Sequence, residues 1–556
     1  MTTSPPSTGS FDFPLFKLLQ GLDKLPGVPA DGVTFANGQV VARDAATFRL
    51  DRLFDIFFES YWTRHAGLSQ VALTGKLTGR ARIEIWRRDA LNGREGLLVS
   101  VEVEGRGEEV IAVPVLLRPP GEEGDASCLV ATLHMGEGSV LRELHWCAAA
   151  PPVREVRIAG VICTFNREDM LAANLARFVK EARFLHRLIV INQGTPGIKN
   201  RIMRAHGSST PILFVDQSNL GGAGGFTRGI VEGLDDPDVT HFLLMDDDID
   251  AQPALLERIV AVLGYVGERH CIGGAMLNID DPAKLFTCGD RMHPSRPAIV
   301  NVAPEPGDDD VTTDAGRDFV ARQHRPDFNG WWCFAFPVAA VRQCGLPLPL
   351  FIRGDDVEFG LRLTRAGFFT LGWPGVAVWH MPFQLKAQPW QAFYDRRNML
   401  FLNAAHRLYS RRREARSAWG SFCNALKVRD YARAEAVVEG IQAFNRGPAE
   451  LQSWSSDDHA ALLRRTADHS RRFRWASTVA LWARAAVVVA ALRWGRRIEP
   501  QAVLRFAEAD FWRTYLPPSR TNQAPLHNKG FASPPDDGIA HSLNVKPMGM
   551  NSCDPI

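Results

Sequence analysis

The first 150 residues contain short runs in which apolar and polar side chains alternate. Residues 82–86 and 97–104 are clear examples, and a period of two predicts β-strands with one buried face. Turn-forming pairs such as Asn92-Gly93 separate these runs. We therefore expect an N-terminal β-sandwich over residues 1–150. Its role is open between a carbohydrate-binding module and a packing or spacer domain.

From residue 151 to about residue 400, the chain alternates apolar runs with stretches of helical pattern. The apolar runs cover residues 156–163, 188–191, 212–215 and 242–245. This rhythm predicts an α/β fold, a doubly wound and mainly parallel sheet that is covered by helices. In such sheets ligands bind beyond the carboxyl ends of the strands, so the polar residues there are candidates for chemistry.

Residues 401–517 have a helical pattern, and the Pro-, Asn- and Gly-rich residues 518–556 predict a disordered tail. Arginines surround two apolar runs of the helical region, residues 479–482 and 485–492. These arginines are Arg464, Arg465, Arg471, Arg472, Arg474, Arg484, Arg493, Arg496 and Arg497. The pattern is typical of an amphipathic helix on an anionic membrane surface, and equally of a core-packed helix with a solvated arginine face. Arginines interrupt the longest apolar stretch, so we expect no membrane span.

Composition narrows the classes of function. The chain has 556 residues, and 64 basic against 62 acidic residues give a net charge of +2. So small a charge provides no general attraction for nucleic acid. The nine cysteines are scattered without C-x-x-C spacing, which argues against a zinc site and favours a reducing compartment. Because the first residues lack the pattern of a signal peptide, we expect a cytoplasmic protein.

An apolar strand, residues 241–245, runs directly into Asp246, Asp247 and Asp248. Adjacent carboxylates repel one another, and a bound cation removes that repulsion. Alternate side chains of an extended chain face the same way, so Asp246 and Asp248 can converge on one ion while Asp247 points elsewhere. Carboxylate ligands that share an ion with phosphates suit Mg²⁺ or Mn²⁺. The alternative interpretation is a solvated acidic turn.

A glycine cluster at residues 219–228 opens a predicted helix before this strand. Backbone amides at such a helix start can approach a phosphate or a ribose closely. Neither the Walker P-loop pattern nor the dinucleotide G-x-G-x-x-G pattern is present. The alternative is a tight turn with close packing of the helix.

Two adjacent aromatic residues, Trp331 and Trp332, precede the acidic pair Asp355 and Asp356. Sugars present C–H faces to aromatic rings and hydroxyls to carboxylates, so this combination suits an acceptor saccharide. One of the carboxylates can then serve as a general base. Core packing is the alternative for the tryptophans. His380 ends another strand-like run, where a lone histidine is more often structural than a ligand.

In their order along the chain, these segments resemble glycosyltransferase family 2, the inverting enzymes with the GT-A fold. Within that family they are most similar to the galactofuranosyltransferases that polymerise mycobacterial cell-wall galactan. The segments are Asn166-Arg167, residues 219–226, Asp246-Asp247-Asp248, residues 273–278, residues 327–332, residues 347–352, Asp355-Asp356 and residues 379–381. The resemblance implies an N-terminal β-sandwich, a GT-A core over residues 151–400 and a helical region over residues 401–517.

The resemblance also implies roles for individual residues. Asp246 and Asp248 match the ligands of a Mn²⁺ or Mg²⁺ ion that binds the donor diphosphate, and His380 completes that site. Asp356 matches the catalytic base, which deprotonates the acceptor hydroxyl that displaces UDP with inversion. The remaining implied contacts are Arg167, Gln193, Asn219 and Asp247 with the nucleotide part of the UDP-sugar donor, and Trp331, Trp332, Asp355 and Asp290 with the sugars.

Members of the family act on lipid-linked galactan and form ring-like tetramers. The resemblance therefore implies a UDP-galactofuranose donor, a lipid-linked glycan acceptor, peripheral contact with the inner face of the membrane and a homo-oligomer. Two departures bear on the acceptor. Gly289-Asp290 stands where the mycobacterial enzymes have Gly-Glu, and Asp395 stands where the family has a histidine. Acceptor choice, linkage pattern and product length therefore stay open.

Other functions also stay open at this point. The donor of a family member can be another nucleotide sugar, used for a different cell-surface polysaccharide. Outside the family, the acidic cluster suits a metal-dependent phosphohydrolase or nucleotidyltransferase. The β-sandwich and the aromatic pair suit a non-catalytic glycan-binding protein.

Overall fold

The alternating pattern of the first 150 residues corresponds to an antiparallel sheet of eight strands with one helix. The computed structural model describes residues 10–25, 31–36, 38–121, 125–197, 212–382, 387–469 and 475–518. The elements of this region are β1 (Phe13–Lys17), β2 (Val33–Ala36), β3 (Gln39–Ala42), β4 (Ala46–Leu50), α1 (Glu59–Ala66), β5 (Gln70–Asp89), β6 (Arg94–Leu116), β7 (Ser127–Met135) and β8 (Val140–Ala148).

Strands β5 and β6 form the long hairpin of this sheet, and β5 organises the strands on its other side. The first half of β5 pairs with β8 and the second half pairs with β7, so the sheet divides into two branches. Leu73 on one branch and Ile83 on the other belong to the same apolar core. The predicted strands are therefore present, in one sheet whose two branches are hydrogen-bonded through β5, and the β-sandwich domain over residues 1–150 stays a prediction.

The second region contains a mixed sheet with helices, which confirms the predicted α/β class. Its strands are β9 (Ile158–Thr164), β10 (Arg187–Asn192), β11 (Ile212–Asp216), β12 (His241–Asp246), β13 (Asp250–Ala251), β14 (His270–Asn278), β15 (Leu285–Thr287), β16 (Asp290–Met292), β17 (Ile299–Asn301), β18 (Phe334–Pro337) and β19 (Phe369–His380). Its helices are α2 (Glu168–Lys180), α3 (Gly221–Leu234), α4 (Leu255–Tyr265), α5 (Asp314–Ala321), α6 (Val338–Cys344) and α7 (Asp355–Arg365), with a 3-10 turn at Ala182–Phe184.

Nine of these strands form one sheet in the order β11-β10-β9-β12-β18-β14-β19-β13, with β15 beside β14. Strands β9 to β12 are parallel where they pair, β18 is antiparallel to both of its neighbours, and β14 and β19 are parallel. The four strands predicted from apolar runs are therefore present as β9 to β12. Strands β9, β10 and β12 are nearly fully buried, as strands covered by helices are, whereas β11 at the edge of the sheet is only partly buried.

The register of the sheet brings polar strand ends side by side. Asn192 of β10 lies opposite Thr164 of β9, and Asp246 of β12 lies opposite Cys163. On the far side, β13 pairs with the end of β19, so that Asp250 lies opposite Trp379. The chain beyond β12 therefore returns to the end of β19, where His380 is the last strand residue.

Helices make up the third region, as predicted. They are α8 (Gln391–His406), α9 (Arg411–Lys427), α10 (Tyr431–Arg446), α11 (Glu450–Ser453), α12 (Ser456–His469), α13 (Trp475–Trp494), α14 (Pro500–Leu504) and α15 (Ala509–Tyr515), with a 3-10 turn at Arg505–Ala507. The predicted domain boundary at residue 400 falls inside α8. Arg471, Arg472, Arg474 and the predicted tail from residue 519 onward lie outside the described residues.

Helix α13 has features of a helix packed on the core and features of a helix on a membrane surface, the two interpretations of its sequence. Leu481, Ala485 and Leu492 are buried in an apolar core shared with α8 to α10. The opposite face carries exposed apolar residues, with Val487 at 68% and Trp494 at 72% of full exposure. Within the described residues, no helix is both long enough and apolar enough to span a bilayer.

A buried carboxyl group makes the stability of this helical region dependent on pH. Glu414 of α9 is 2% exposed, and neither of its carboxylate oxygens has a hydrogen-bond partner among the described residues. Burial raises the pKa of Glu414 to about 7, although attraction to the nearby Arg396 opposes the shift. The ionised form of Glu414 is therefore disfavoured in the folded protein.

We expect Glu414→Gln to stabilise the protein at pH 8 and to change little at pH 4.5. The folded-state pKa lies above the unfolded-state value, so the wild-type protein loses stability as the pH rises through this interval. The gain at pH 8 is roughly 1–3 kcal/mol in free energy of unfolding, measured by denaturant titration at both pH values. Exposed Glu508 provides the control substitution, Glu508→Gln. An equal gain at both pH values would contradict the prediction.

Candidate active site

Asp246, Asp248 and His380 meet at the edge of the second sheet. Each offers one ligand atom, and these atoms lie within 4.8 Å of one another. The His380 Nε2 atom is 3.0 Å from Oδ1 of Asp248 and 3.9 Å from Oδ2 of Asp246. Carboxylate oxygens together with phosphate oxygens suit Mg²⁺ and Mn²⁺. The residues present therefore fit the divalent ion that the sequence predicts.

The charges of this group also favour a cation. Burial raises the pKa of Asp246 to about 7, and repulsion from Asp248 adds to the shift. Attraction to His380 opposes it only in part. A divalent cation between the two carboxylates would offset this repulsion. In a solvated acidic turn, no cation would be needed.

The Asp247 carboxylate, just beyond the end of β12, has contacts with β9 and with Arg167. It accepts hydrogen bonds from Thr164 Oγ1 at 2.7 Å and from Arg167 Nη1 at 3.0 Å. Asn174 Nδ2 donates to the Asp247 carbonyl at 2.9 Å. These bonds fix the end of β12 to β9 and α2. Arg167 also lies 2.8 Å from Asp248 Oδ2, so a cationic side chain borders the metal-ligand group.

Gln193 and Asn219 build the start of helix α3. Gln193 Nε2 donates to the Gly221 carbonyl at 2.8 Å, and its Oε1 accepts from Leu220 N at 2.9 Å. Asn219 Oδ1 accepts from Gly221 N at 2.8 Å. The structure thus places both residues between the end of β10 and the glycine helix. Their contacts with a nucleotide stay predictions.

The glycines of α3 have a packing role of their own. A Cβ atom on Gly225 would overlap the Cys163 sulfur, and one on Gly229 would overlap the Val161 side chain. The helix therefore lies directly against β9, which supports the close-packing interpretation for this part of the run. Gly222 lies elsewhere in the site, since its added Cβ would be 3.6 Å from Asp355 Oδ2.

Asp355 and Asp356 occupy the first turn of helix α7 on the other side of α3. Asp355 is buried and Asp356 is partly exposed, with Asp356 Oδ1 accepting from Val357 N at 2.8 Å. Burial and repulsion from Asp356 raise the pKa of Asp355 well above its ordinary value, and Asp246 adds to the effect. Burial also raises the pKa of Asp356. A carboxylate with a raised pKa is a better proton acceptor.

Asp290 lies in the same electrostatic neighbourhood. Its carboxylate accepts from Thr287 Oγ1 at 3.0 Å, and burial raises the pKa of Asp290 to about 7. Repulsion from Asp356 contributes to that shift, so the two carboxyls are near one another. The structure therefore brings Asp290 beside the predicted base, where the resemblance implies a contact with the acceptor.

The structure buries both predicted sugar-stacking tryptophans. Trp331 is 5% exposed and packs edge-on against Phe226, with ring centroids 5.2 Å apart. Trp332 is 2% exposed and donates through Nε1 to the Gly274 carbonyl at 2.9 Å. The two rings belong to different apolar cores. Packing accounts for both residues in this structure, and their contact with sugars stays a prediction.

Sequence reasoning missed several residues that shape the site. Thr164 and Asn174 hold Asp247, and no spacing in the sequence marks them as its partners. Arg353 lies 2.5 Å from Asp395 in an ion pair, and its charge opposes the rise that burial causes in the pKa of Asp356. In the sequence, Asp395 is notable only because the family has a histidine at that position. That difference does not indicate that Arg353 is its partner.

The comparison with protein families agrees with this geometry. Residues 156–399 match the family model described as "Glycosyltransferase like family 2". The match includes the group of Asp246, Asp248 and His380 as well as Asp355 and Asp356. Residues 156–399 are therefore similar to this family. The predicted resemblance is confirmed over these residues, and so is the predicted α/β class.

Two sets of curated relatives extend the comparison. Galactofuranosyltransferase GlfT2 of Mycolicibacterium smegmatis is 31% identical over 369 residues, which are 64% of this chain and 57% of the relative. GlfT2 of Mycobacterium tuberculosis is 31% identical over 379 residues with the same coverage. Galactofuranosyltransferase GlfT1 of Mycobacterium tuberculosis is 33% identical over 217 residues, 38% of this chain and 65% of the relative. The chain thus spans 57% of the length of its GlfT2 relatives.

We expect Asp248→Asn and His380→Ala each to weaken binding of Mn²⁺ by at least about 10-fold. Each substitution removes one ligand of the group, and loss of one charge-assisted contact costs about 1.5–3 kcal/mol. Calorimetric titration of Mn²⁺ in the presence of UDP measures the affinity.

Asp250→Asn is the matched control for these variants. Asp250 lies two residues beyond Asp248, but its carboxylate pairs with Lys24 at 2.7 Å and with Arg177. The control should bind Mn²⁺ like the wild type. Equal weakening in all three variants would show that Mn²⁺ responds to general acidity at this edge and not to a defined ligand group.

Proposed function

We propose that this protein is an inverting, metal-dependent glycosyltransferase that moves galactofuranose from UDP-galactofuranose to a hydroxyl of a glycan acceptor. One observation carries the proposal. Asp246 of the ligand group is near enough to Asp355, in the first turn of α7, to raise the pKa of that carboxyl, and Asp356 follows Asp355 directly. Similarity to galactofuranosyltransferases over 64% of the chain supports the choice of donor.

In the proposed reaction, Asp356 accepts the proton of the acceptor hydroxyl. The acceptor oxygen forms a bond to the anomeric carbon, while the bond from that carbon to the diphosphate oxygen breaks and UDP leaves with the electron pair. Attack from the side opposite the diphosphate inverts the configuration. Asp246, Asp248 and His380 would hold the Mn²⁺ or Mg²⁺ ion, which supplies positive charge to the departing diphosphate.

Other side chains of the site bind and orient the two substrates in this proposal. Arg167 lies beside Asp248 and can pair with a phosphate oxygen of the donor. Asp355 and Asp290 border the base, where their carboxylates can accept hydrogen bonds from sugar hydroxyls. Asp290 is one methylene shorter than the glutamate of the mycobacterial enzymes, so the acceptor hydroxyl it binds would lie closer to the backbone.

We expect Asp356→Asn to lower the rate of galactofuranose transfer by roughly 10²- to 10⁴-fold and to leave donor affinity nearly unchanged. The substitution removes the proton acceptor without changing the size of the side chain. Mass spectrometry follows stepwise addition of hexose to a lipid-linked galactofuranose disaccharide with UDP-galactofuranose and Mn²⁺. Asp314→Asn is the control, because Asp314 also occupies the first turn of a helix but pairs with Arg317 at the surface.

Other outcomes would identify the alternative functions. Cleavage of the donor without dependence on the acceptor would favour a phosphohydrolase. Transfer from a different nucleotide sugar would retain the mechanism and change the donor. Metal-independent binding of glycan without turnover would favour a non-catalytic glycan-binding protein.

We also propose that the acceptor is lipid-linked and that the C-terminal helices contact an anionic membrane surface. Residues 401–517 carry 20 Lys and Arg against 11 Asp and Glu, which gives this region a strong positive charge. The exposed face of α13 adds apolar anchors, namely Val479 at 52% exposure together with Val487 and Trp494. A cationic region with an exposed apolar helix face is typical of interfacial binding.

We expect the double variant Val487→Asp, Trp494→Ala to lose most of its binding to vesicles that contain anionic lipids. Two apolar anchors are removed, and an acidic side chain is placed against the anionic surface. Co-sedimentation with phosphatidylglycerol vesicles measures binding. Leu116→Asp is the control, since Leu116 is 64% exposed on the N-terminal sheet. Unchanged binding of the double variant would exclude α13 as the contact.

A further inference from the structure

The loop that leads into α7 has a strained backbone. Phe351, Arg353 and Gly354 have φ angles of 70°, 69° and 84°, and only the last of them is a glycine. A non-glycine residue in this left-handed region costs about 1–3 kcal/mol and persists where its surroundings hold it. Because Asp355 and Asp356 follow directly, the conformation of this loop determines where the proposed base stands.

Asn398 of helix α8 holds this loop from one side. Its Nδ2 group donates to the backbone carbonyls of Leu350 at 3.1 Å, Ile352 at 3.0 Å and Arg353 at 2.7 Å. One side-chain amide thus binds three carbonyls that bracket both left-handed non-glycine residues. The side chain is 2% exposed, so water does not compete for these bonds.

Helix α3 holds the same loop from the other side. The carbonyl of Phe351 accepts from Ala223 N at 3.1 Å, in the first turn of the glycine helix. A Cβ atom on Gly221 would overlap that carbonyl, so the close approach requires glycine there. All four carbonyls of residues 350–353 therefore accept bonds from outside the loop.

The orientation of the Asn398 amide is itself fixed. Its Oδ1 accepts from Arg397 Nε at 2.9 Å, which leaves Nδ2 directed at the loop. Arg397 is completely buried, and its Nη2 donates to the Leu350 carbonyl at 2.7 Å. The guanidinium lies 5.1–5.3 Å from the ring centroids of Phe393, Tyr394 and Trp454. Aromatic packing in the helical region thus fixes the arginine that orients the amide.

We propose that Asn398 is a positioning residue for the transfer reaction, which makes the helical C-terminal region a working part of the active site. It acts through the backbone of residues 350–353 and holds Asp356 at the distance that proton transfer requires. This inference rests on the proposed function for its effect on rate. The contacts themselves are independent of which donor the enzyme uses.

Asn398→Asp tests the proposal, because it keeps the size of the side chain and removes the N–H donors. With Asp356 misplaced, kcat should fall roughly 10- to 100-fold, while KM for UDP-galactofuranose and the affinity for UDP with Mn²⁺ stay within about twofold. Asn403→Asp is the matched control. Asn403 lies on the same helix and bonds both ways with the Tyr409 backbone at 2.7 and 3.1 Å, away from the loop. It should retain kcat.

Hydrogen exchange gives a readout that needs no turnover. Amides of residues 351–357 should exchange faster in Asn398→Asp than in the wild type or in Asn403→Asp. Asn398→Ala, which adds no charge, provides a second variant should the aspartate variant fail to fold. It should show the same loss of kcat and the same faster exchange.

Two results would overturn the proposal. The first is a variant at position 398 with kcat within twofold of wild type and unchanged exchange at residues 351–357. The second is a parallel fall of kcat, UDP affinity and melting temperature, which is what a merely structural role produces. A wild-type protein that transfers no galactofuranose would refute the proposed function, whereas the exchange comparison would still decide whether Asn398 holds the loop.

Discussion

Crowding of carboxylates at one edge of a buried sheet is the constraint on which the rest of this structure depends. Asp246, Asp248, Asp290, Asp355 and Asp356 come from three separate chain segments, and burial raises the pKa of Asp246, Asp290, Asp355 and Asp356. Such a group does not form through local attraction. It exists because the fold holds it, and a bound cation would relieve the repulsion that it retains. A positively charged ligand at this edge would compensate the negative charge of the carboxylates.

Adjacent aspartates meet this constraint in opposite ways. The Asp247 carboxylate is hydrogen-bonded to Thr164 and to Arg167, so it strengthens the scaffold. Asp246 and Asp248 converge with His380, and Arg167 borders Asp248, so the repulsion between these two carboxylates is what a metal ion would relieve. Strand β12 ends at Asp246 and the next two aspartates lie in a turn, which separates the contacts of Asp247 from those of the metal-ligand group.

The sequence therefore predicts whatever depends on local periodicity. The strands β9 to β12, the convergence of Asp246 with Asp248 and the α/β class all follow from patterns within a few residues. Contacts between distant segments are different, because nothing in the sequence around Asn398 indicates that it will meet Leu350, 48 residues earlier. The same holds for Arg353 and Asp395. The tryptophan pair is a third case, because two adjacent tryptophans suit both core packing and stacking on a sugar. Their burial follows from the packing of two separate apolar cores.

The position of the proposed base depends on backbone hydrogen bonds, and the side chains around it can therefore differ between relatives. The proposed base is placed by carbonyls of residues 350–353, which bond to Ala223 and Asn398 whatever side chains the loop carries. The departures from the family pattern, Asp290 and Asp395, are side-chain differences. Asp395 pairs with the Arg353 guanidinium, whereas the Arg353 carbonyl remains with Asn398. The side chain at position 395 can therefore differ without moving the proposed base.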